Sequence, residues 1–345
     1  MGASSRYRSY QFLPYLREQG FEVEAVPLLD DAYLKARYAG SKVSRWSVAA
    51  AYGRRLGQLL QSRRFDLVWM EKEALPWLPS GIEASLLATG APYVVDYDDA
   101  LFHRYDQHPA WAVRALLGRK IDRVMRGAAL VIAGNRYLTA RAEAAGARRV
   151  AILPTVVDLE RYPPVPAADN GTFTIGWIGT PVTARQHLET IRGPLETFCA
   201  GGTARLVAIG SGDLGWRVPV EVRAWSAATE VADLQGIDVG IMPLPDSPFE
   251  RGKCGFKLIQ YMACWRPVVG SPVGVNDDLI EPGVNGFKAT TPEEWIQALG
   301  ALRSDPELRR RMGAAGRDRV ERSYCLQVAA ARLAGLLREA AAGSA

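Results

Sequence analysis

The chain has 345 residues, 48% of them hydrophobic and 23% charged. That balance excludes a chain disordered along most of its length, and the length exceeds one ordinary α/β core, so two domains are expected. No run of 18 apolar residues occurs, three histidines lack metal-binding spacing, and the four cysteines (Cys199, Cys254, Cys264, Cys325) form no C-x-x-C pair, which argues against a transmembrane helix, a metal centre and a disulfide framework.

The elements alternate along the chain. Gly2–Arg6 reads as a loop leading into a helix over Tyr7–Gln19, followed by a strand over Phe21–Val26. Between Ala32 and Phe65 stand eight basic residues (Lys35, Arg37, Lys42, Arg45, Arg54, Arg55, Arg63, Arg64) and no acidic one, with Tyr33, Tyr38, Trp46 and Tyr52 interleaved. This segment, 35–64, carries a helix over Val43–Gln61. It suits an anionic membrane surface or a solvated helical face; nucleic acid is not an expected partner, because no RRM, KH, zinc-finger or helix-turn-helix signature accompanies the charge. Strands follow over Asp66–Met70, Pro92–Val95, Ala129–Ala133 and Val150–Leu153, with helices over Ala74–Thr89, Ala110–Arg126 and Arg136–Ala145 between them. Continuous apolar strands separated by helices indicate a doubly wound, parallel α/β domain.

Tyr162–Gly171 is rich in Pro and Gly and reads as a linker, placing the domain boundary at 164/165. Alternation then restarts. Strands are expected over Thr172–Ile178, Ala204–Ile209, Val220–Trp225, Ile237–Met242 and Pro267–Gly270. Helices are expected over Ala184–Ala200, Ala228–Leu234, Phe256–Ala263, Glu293–Leu302, Pro306–Ser323 and Leu326–Ala340. Charge divides with the halves: residues 1–164 carry a net +6 and the remainder a net −1. Two α/β halves, 1–164 and 165–324, joined by a proline-rich hinge predict a ligand cleft between them. Trp69, Trp77, Trp177, Trp225 and Trp295 read as core or interface packing, Arg309–Arg311 as a solvated helix face, and the cysteines as small buried hydrophobes.

Two constellations carry chemistry. In Val94-Val-Asp-Tyr-Asp-Asp-Ala-Leu-Phe-His103, carboxylates fall at the end of an α/β strand, where ligand crevices form. Asp98 and Asp99 read either as site residues or as structural caps and salt-bridge partners. In the block from Arg251 to Asn276, a Gly-rich loop runs into a helix, a short strand and a second Gly/Pro loop. A helix N-terminus offers unbonded N–H groups and partial positive charge, and Lys253 and Lys257 add two ammonium groups, a combination suited to phosphate.

That block resembles the donor domain of family-four, GT-B-fold retaining glycosyltransferases. Gly252 to Ala263 overlays the family segment without a gap, and Met262-Ala263-Cys264 and Pro267-Val268-Val269 match it. The family's two glutamates, eight apart, fall on Gly252 and Gln260. A branch from polysaccharide biosynthesis, with a G-K-x-x-x-K-[LI]-[LI]-[EQ]-Y-M-A form, is closer. The resemblance implies two Rossmann-like domains facing a cleft. Donor-binding residues would be Gly179, Thr180, Lys253, Gly255, Gln260 (to ribose), Glu250 (in place of the missing first glutamate), Gly274 and Val275. Lys257 and Arg185 would face the diphosphate, Asp98 and Asp99 the sugars, and Gly2, Ser4, Ser5 and Arg6 an anion nest in the acceptor domain. Relatives have an apolar strand before that nest, so an upstream start is expected. The last helix, 325–345, is expected to pack back on the first domain. Implied activity is transfer of a sugar from a nucleotide-diphosphate sugar, with retention, to a glycan or lipid-linked acceptor. The implied setting is cell-surface polysaccharide biosynthesis, in the cytoplasm or at the inner face of the plasma membrane, with no metal and no other cofactor. Two rival readings are a nucleotide-sugar epimerase and a non-catalytic nucleotide-sugar-binding scaffold.

Overall fold

The computed structural model describes residues 2–38, 41, 43–88, 90–165, 171–218 and 220–343. Lys42 and the side chains of Lys35 and Arg37, part of the basic segment, lie outside the described residues. Contacts divide the chain into two compact units: one runs to Thr155 and also takes in the residues from Ala329 onward, and the other is Val156–Val328. Residues 156–164, assigned from sequence to the first half, lie in the second unit.

The first unit holds a four-stranded parallel sheet, β1 (Val68–Glu71), β2 (Tyr93–Tyr97), β3 (Leu130–Ala133) and β4 (Val150–Ile152), in which spatial order equals chain order. Val95 sits opposite Met70 on one side and Val131 on the other. Every residue of β2 and β3 is buried, as continuous apolar strands of a covered parallel sheet require. Around them lie α1 (Ala3–Arg8), α2 (Leu13–Glu18), α3 (Asp31–Tyr38), α4 (Arg45–Leu60), α5 (Ser80–Ala88), α6 (His103–Asp106), α7 (Trp111–Leu117), α8 (Lys120–Gly127) and α9 (Arg136–Ala144).

Four sequence expectations change here. Phe21–Val26 forms no strand; its contacts run instead through side chains and the preceding helix, with Phe21 N–H donating to the Leu16 carbonyl, Arg64 pairing with Glu24 at 2.8 Å and Arg55 donating to the Val26 carbonyl. A strand exists only where a neighbour completes its ladder, and among the described residues this segment has none. The helix expected over Ala110–Arg126 is two helices, broken at Gly118–Arg119, and the one expected over Ala74–Thr89 begins at Ser80, after Pro76 and Pro79. Ser4, Ser5 and Arg6 lie inside α1, with Gly2 as its N-cap, so this stretch is helix and not a loop nest.

A buried ionic group fixes the unit's interior. Lys120 contacts Glu73 at 2.6 Å and Glu83 at 3.1 Å, and the Tyr105 hydroxyl donates to Glu73 at 2.8 Å. Burial of such charges is tolerated because each meets an opposite charge.

The second unit is a six-stranded parallel sheet in the order β10-β9-β8-β5-β6-β7: β5 (Phe173–Ile178), β6 (Ala204–Ile209), β7 (Val220–Arg223), β8 (Val239–Met242), β9 (Val268–Gly270) and β10 (Gly286–Lys288). The last strand, β10, was not among those expected from the sequence. Reversal of strand order on either side of β5 makes the switch point at which α/β sheets place ligands. Its helices are α10 (Pro181–Gln186), α11 (Arg192–Cys199), α12 (Glu230–Gln235), α13 (Pro248–Arg251), α14 (Phe256–Ala263), α15 (Val275–Leu279), α16 (Pro292–Ser304) and α17 (Pro306–Ser323). α18 (Leu326–Ala342) begins in this unit and continues in the first, where Arg338 donates to the Gln19 carbonyl and Glu339 pairs with Arg149. Trp177 and Trp295 are core, whereas Trp77 and Trp225 are nearly half exposed, and Arg309 is tucked against Asp238 at 3.7 Å. All four cysteines are free and buried.

Candidate functional site

In the second unit the site begins at β5. Gly179 follows the strand, and a Cβ there would lie 2.3 Å from the Trp177 ring, so only glycine lets the chain turn this tightly over the indole. Thr180 then caps α10 in a two-way capping box with Thr183. Arg185 is exposed on α10. His187, two residues on, is buried; its backbone N–H donates to the Thr183 carbonyl and its own carbonyl accepts from Thr190.

Gly255 caps α14 in the left-handed region, at φ 65°, and an added Cβ would lie 2.4 Å from Leu279 and 2.7 Å from Val275. Glycine is required twice over, by conformation and by space. Gly274, also at positive φ, turns the chain into α15, where Val275 is half-buried. The Lys257 ammonium lies 4.2 Å from the centre of the Trp177 ring, and the Lys253 ammonium 4.9 Å from that of Phe249. Burial, with Lys253 close by, pulls the Lys257 pKa down to about 7. Burial and the charges of Lys257 and Lys253 drop His187 to about 4, against the opposing pull of Glu250. The three basic side chains therefore share one small region at the N-terminus of α14, where helix polarity also favours an anion.

Glu250 accepts from His187 Nε2 at 3.3 Å and from the Ser247 hydroxyl. Gln260 is buried and donates to the Tyr162 hydroxyl at 3.2 Å. The structure thus gathers Gly179, Lys253, Lys257, Glu250 and Gly255 around the start of α14, leaves Arg185 exposed, and turns the Gln260 amide nitrogen toward Tyr162. His187 was missed from sequence: a single histidine inside a helical stretch carries no spacing signal.

In the first unit, strand-end carboxylates cluster around a lysine that sequence reading also missed. Lys72, just past β1, holds φ 63°, rare for a residue with a Cβ. Its ammonium lies 3.0 Å from Asp98, 3.8 Å from Asp99 and 3.0 Å from the Ser4 hydroxyl. Burial works against its charge, but Asp98, Asp99 and Glu71 outweigh that and hold its pKa above the ordinary lysine value. Burial likewise opposes ionisation of Asp98, and Lys72, Ser4 and Arg8 more than offset it, holding the carboxyl below the usual range. Ser5 hydrogen-bonds Glu71, and Arg6 packs beside the Tyr7 ring. Asp96 is buried in a two-pronged pair with Arg8, at 2.8 and 2.9 Å, and His103 is engaged by Asp106 and Tyr137.

Residues 174–305 match the family model described as Glycosyl transferases group 1. No curated protein is similar in sequence. Among solved structures the chain resembles sucrose-phosphate synthase from Thermosynechococcus elongatus (TM-score 0.68, 16% identity, 88% of this chain and 81% of that one). It also resembles Anabaena HepE in complex with UDP-glucose (TM-score 0.63, 17% identity, 96% and 89%). A third similar structure is WaaG, a glycosyltransferase involved in lipopolysaccharide biosynthesis (TM-score 0.67, 12% identity, 98% and 96%). The family match is confined to the second unit, and the whole chain has the two-unit, parallel-sheet fold of the GT-B glycosyltransferases.

Proposed function

We propose that the protein transfers a sugar, with retention of anomeric configuration and without a metal ion, from a nucleotide-diphosphate sugar bound in its second unit. The observation that carries this reading is the grouping of Lys253 and Lys257 at the N-terminus of α14, inside the region matched by the glycosyl transferase family. As the glycosidic bond breaks, negative charge grows on the leaving diphosphate, and two ammonium groups beside oriented N–H dipoles stabilise it. Retention follows in this reading from a same-face route in which the leaving phosphate takes the acceptor proton, which requires no enzymatic nucleophile. Glu250 receives hydroxyls of the donor sugar. HepE, of the same fold, was solved with UDP-glucose.

The acceptor is a glycan or lipid-linked intermediate of a cell-surface polysaccharide, received in the first unit by Asp98 and Asp99. Lys72 keeps Asp98 ionised, which makes that carboxylate an acceptor of sugar hydroxyl hydrogen bonds and a poor proton abstractor. Work at the inner membrane face is supported by the first unit's surface. Trp46 on α4 is 85% exposed beside exposed Arg45, and α7 presents Trp111 (74%) and Leu116 (69%) near exposed Arg104, Arg114 and Arg119. Aromatic and basic side chains together suit an anionic lipid surface. No helix among the described residues is long and apolar enough to cross a membrane.

Titration calorimetry with UDP-, ADP-, GDP- and dTDP-linked hexoses tests the donor site. One of them should bind, and Lys257→Met should weaken it at least about tenfold, the loss of a charge-assisted contact. Unchanged affinity in that variant places the diphosphate elsewhere.

A further inference from the structure

His187 has a place in this site that its burial alone does not explain. It is 2% exposed, contacts Glu250, and feels the charges of Lys257 and Lys253. Because a carboxylate only accepts, the 3.3 Å contact requires that Nε2 carry the proton and donate it to Glu250 Oε1. Nδ1 is then an acceptor, and among the described residues it is buried with no partner. An imidazole buried with one nitrogen unsatisfied costs free energy that an apolar residue would not. Retaining it there implies a return, and the single bond it makes is to Glu250.

The rest of the architecture fixes that bond. The Thr180–Thr183 capping box sets the start of α10, and His187 follows its last turn with its backbone tied to Thr183 and Thr190. Glu250 stands on α13, held from its other side by the Ser247 hydroxyl. Without these two donors, a flexible glutamate three and seven residues from Lys253 and Lys257 would be drawn toward an ammonium group. Held by both, it is kept in one orientation on α13.

We propose that His187 is a positioning residue that holds Glu250 ready for the hydroxyls of the donor's sugar, so that it governs affinity for the sugar portion and not for the nucleoside diphosphate. This rests on the nucleotide-sugar reading of the site. The lysines hold the diphosphate whether or not a sugar is attached; the His187–Glu250 pair acts only when the sugar is present. His187 performs this as a neutral hydrogen-bond donor, so a glutamine, whose Nε2 occupies a similar place, substitutes for it.

The test compares, by calorimetry, the hexose-linked nucleotide of the UDP, ADP, GDP and dTDP panel that wild type binds most tightly with the same nucleoside diphosphate lacking the sugar. His187→Phe and the shorter His187→Asn are expected to weaken the nucleotide sugar about tenfold while the bare diphosphate stays within about twofold. His187→Gln is expected to leave both within about twofold. Glu250→Gln should reproduce the sugar-specific loss, and adding His187→Phe to it should cost nothing further. Equal losses for both ligands in the Phe and Asn variants, or no loss in either, overturn the proposal. So does a glutamine variant as impaired as phenylalanine, since the charge or shape of imidazole would then matter. If wild type binds the bare diphosphates but no sugar-linked nucleotide, the proposal fails and the diphosphate cradle stands; if it binds neither, the reading of the whole site fails.

Discussion

At the scale of the residue, the proposed donor site makes Lys257 the group that would set its response to pH. Its pKa of about 7, against 10.5 for an unburied lysine, comes first from burial and then from Lys253. Below pH 7 the empty site already holds the proton, so a diphosphate binds without taking one up. Above pH 7 the lysine is neutral, and the anion must recruit a proton as it binds. Affinity should therefore decline as pH rises from 7 toward 9, and calorimetry at pH 8 in buffers of different ionisation enthalpy should register uptake of up to about one proton per ligand. His187, neutral above about pH 4, contributes nothing to this window. Lys257→Met should abolish the uptake; uptake that persists assigns the proton to another group. Both lysines were legible in sequence as candidates, because a glycine-rich loop running into a helix has a linear pattern. His187 and Lys72 were not. Their importance comes from what the fold brings beside them, Glu250 from 63 residues away and Asp98 from 26, and no local spacing encodes that.

At the scale of the element, strands announced themselves as continuous apolar runs, and β1 to β6 fall within a few residues of expectation. Boundaries moved where a local signal was outweighed: Pro76 and Pro79 delay α5, and Gly118 separates α7 from α8. Phe21–Val26 has a fair strand pattern, but pairing is a property of two segments, and only one of them is visible in a pattern. The short α7 shows the converse. Its buried residue is Leu117, while Trp111, Ala112, Ala115 and Leu116 face out. If this face meets lipid, Trp111→Ser with Leu116→Ser should reduce co-flotation with phosphatidylserine or phosphatidylglycerol vesicles several-fold, leaving binding of nucleoside diphosphate intact. Reversing Arg54 and Arg63 should weaken it further, each cation near the surface being worth ~1 kcal/mol. Flotation unaffected by all four changes makes both helices solvated surface.

At the scale of the whole molecule, the chain passes from the first unit to the second after Thr155 and back again at Ala329. The returning part of α18 buries Ala330, Leu333, Ala334 and Leu337. Ending the chain at Val328 should strip that cover, at a cost of several kcal/mol by the area and cavity terms for such side chains. Hydrogen exchange should then quicken in β1–β4, while β5–β10 stay protected and nucleoside diphosphate still binds. Undiminished protection of β1–β4 would show the returning helix to be dispensable. A two-domain α/β plan was readable from the interrupted alternation around Tyr162–Gly171, but the assignment of residues 156–164 was not, because Val157 pairs with Cys325, far along the chain.

The return of α18 also bears on birth order. A ribosome releases β1–β4 first and the part of their unit from Ala329 onward only after all of Val156–Val328 has emerged. The usual vectorial sequence, amino-terminal domain first, is thereby inverted. The second unit can mature while its elder neighbour is still waiting for its final piece, and during that wait the elder half is the natural client of a chaperone.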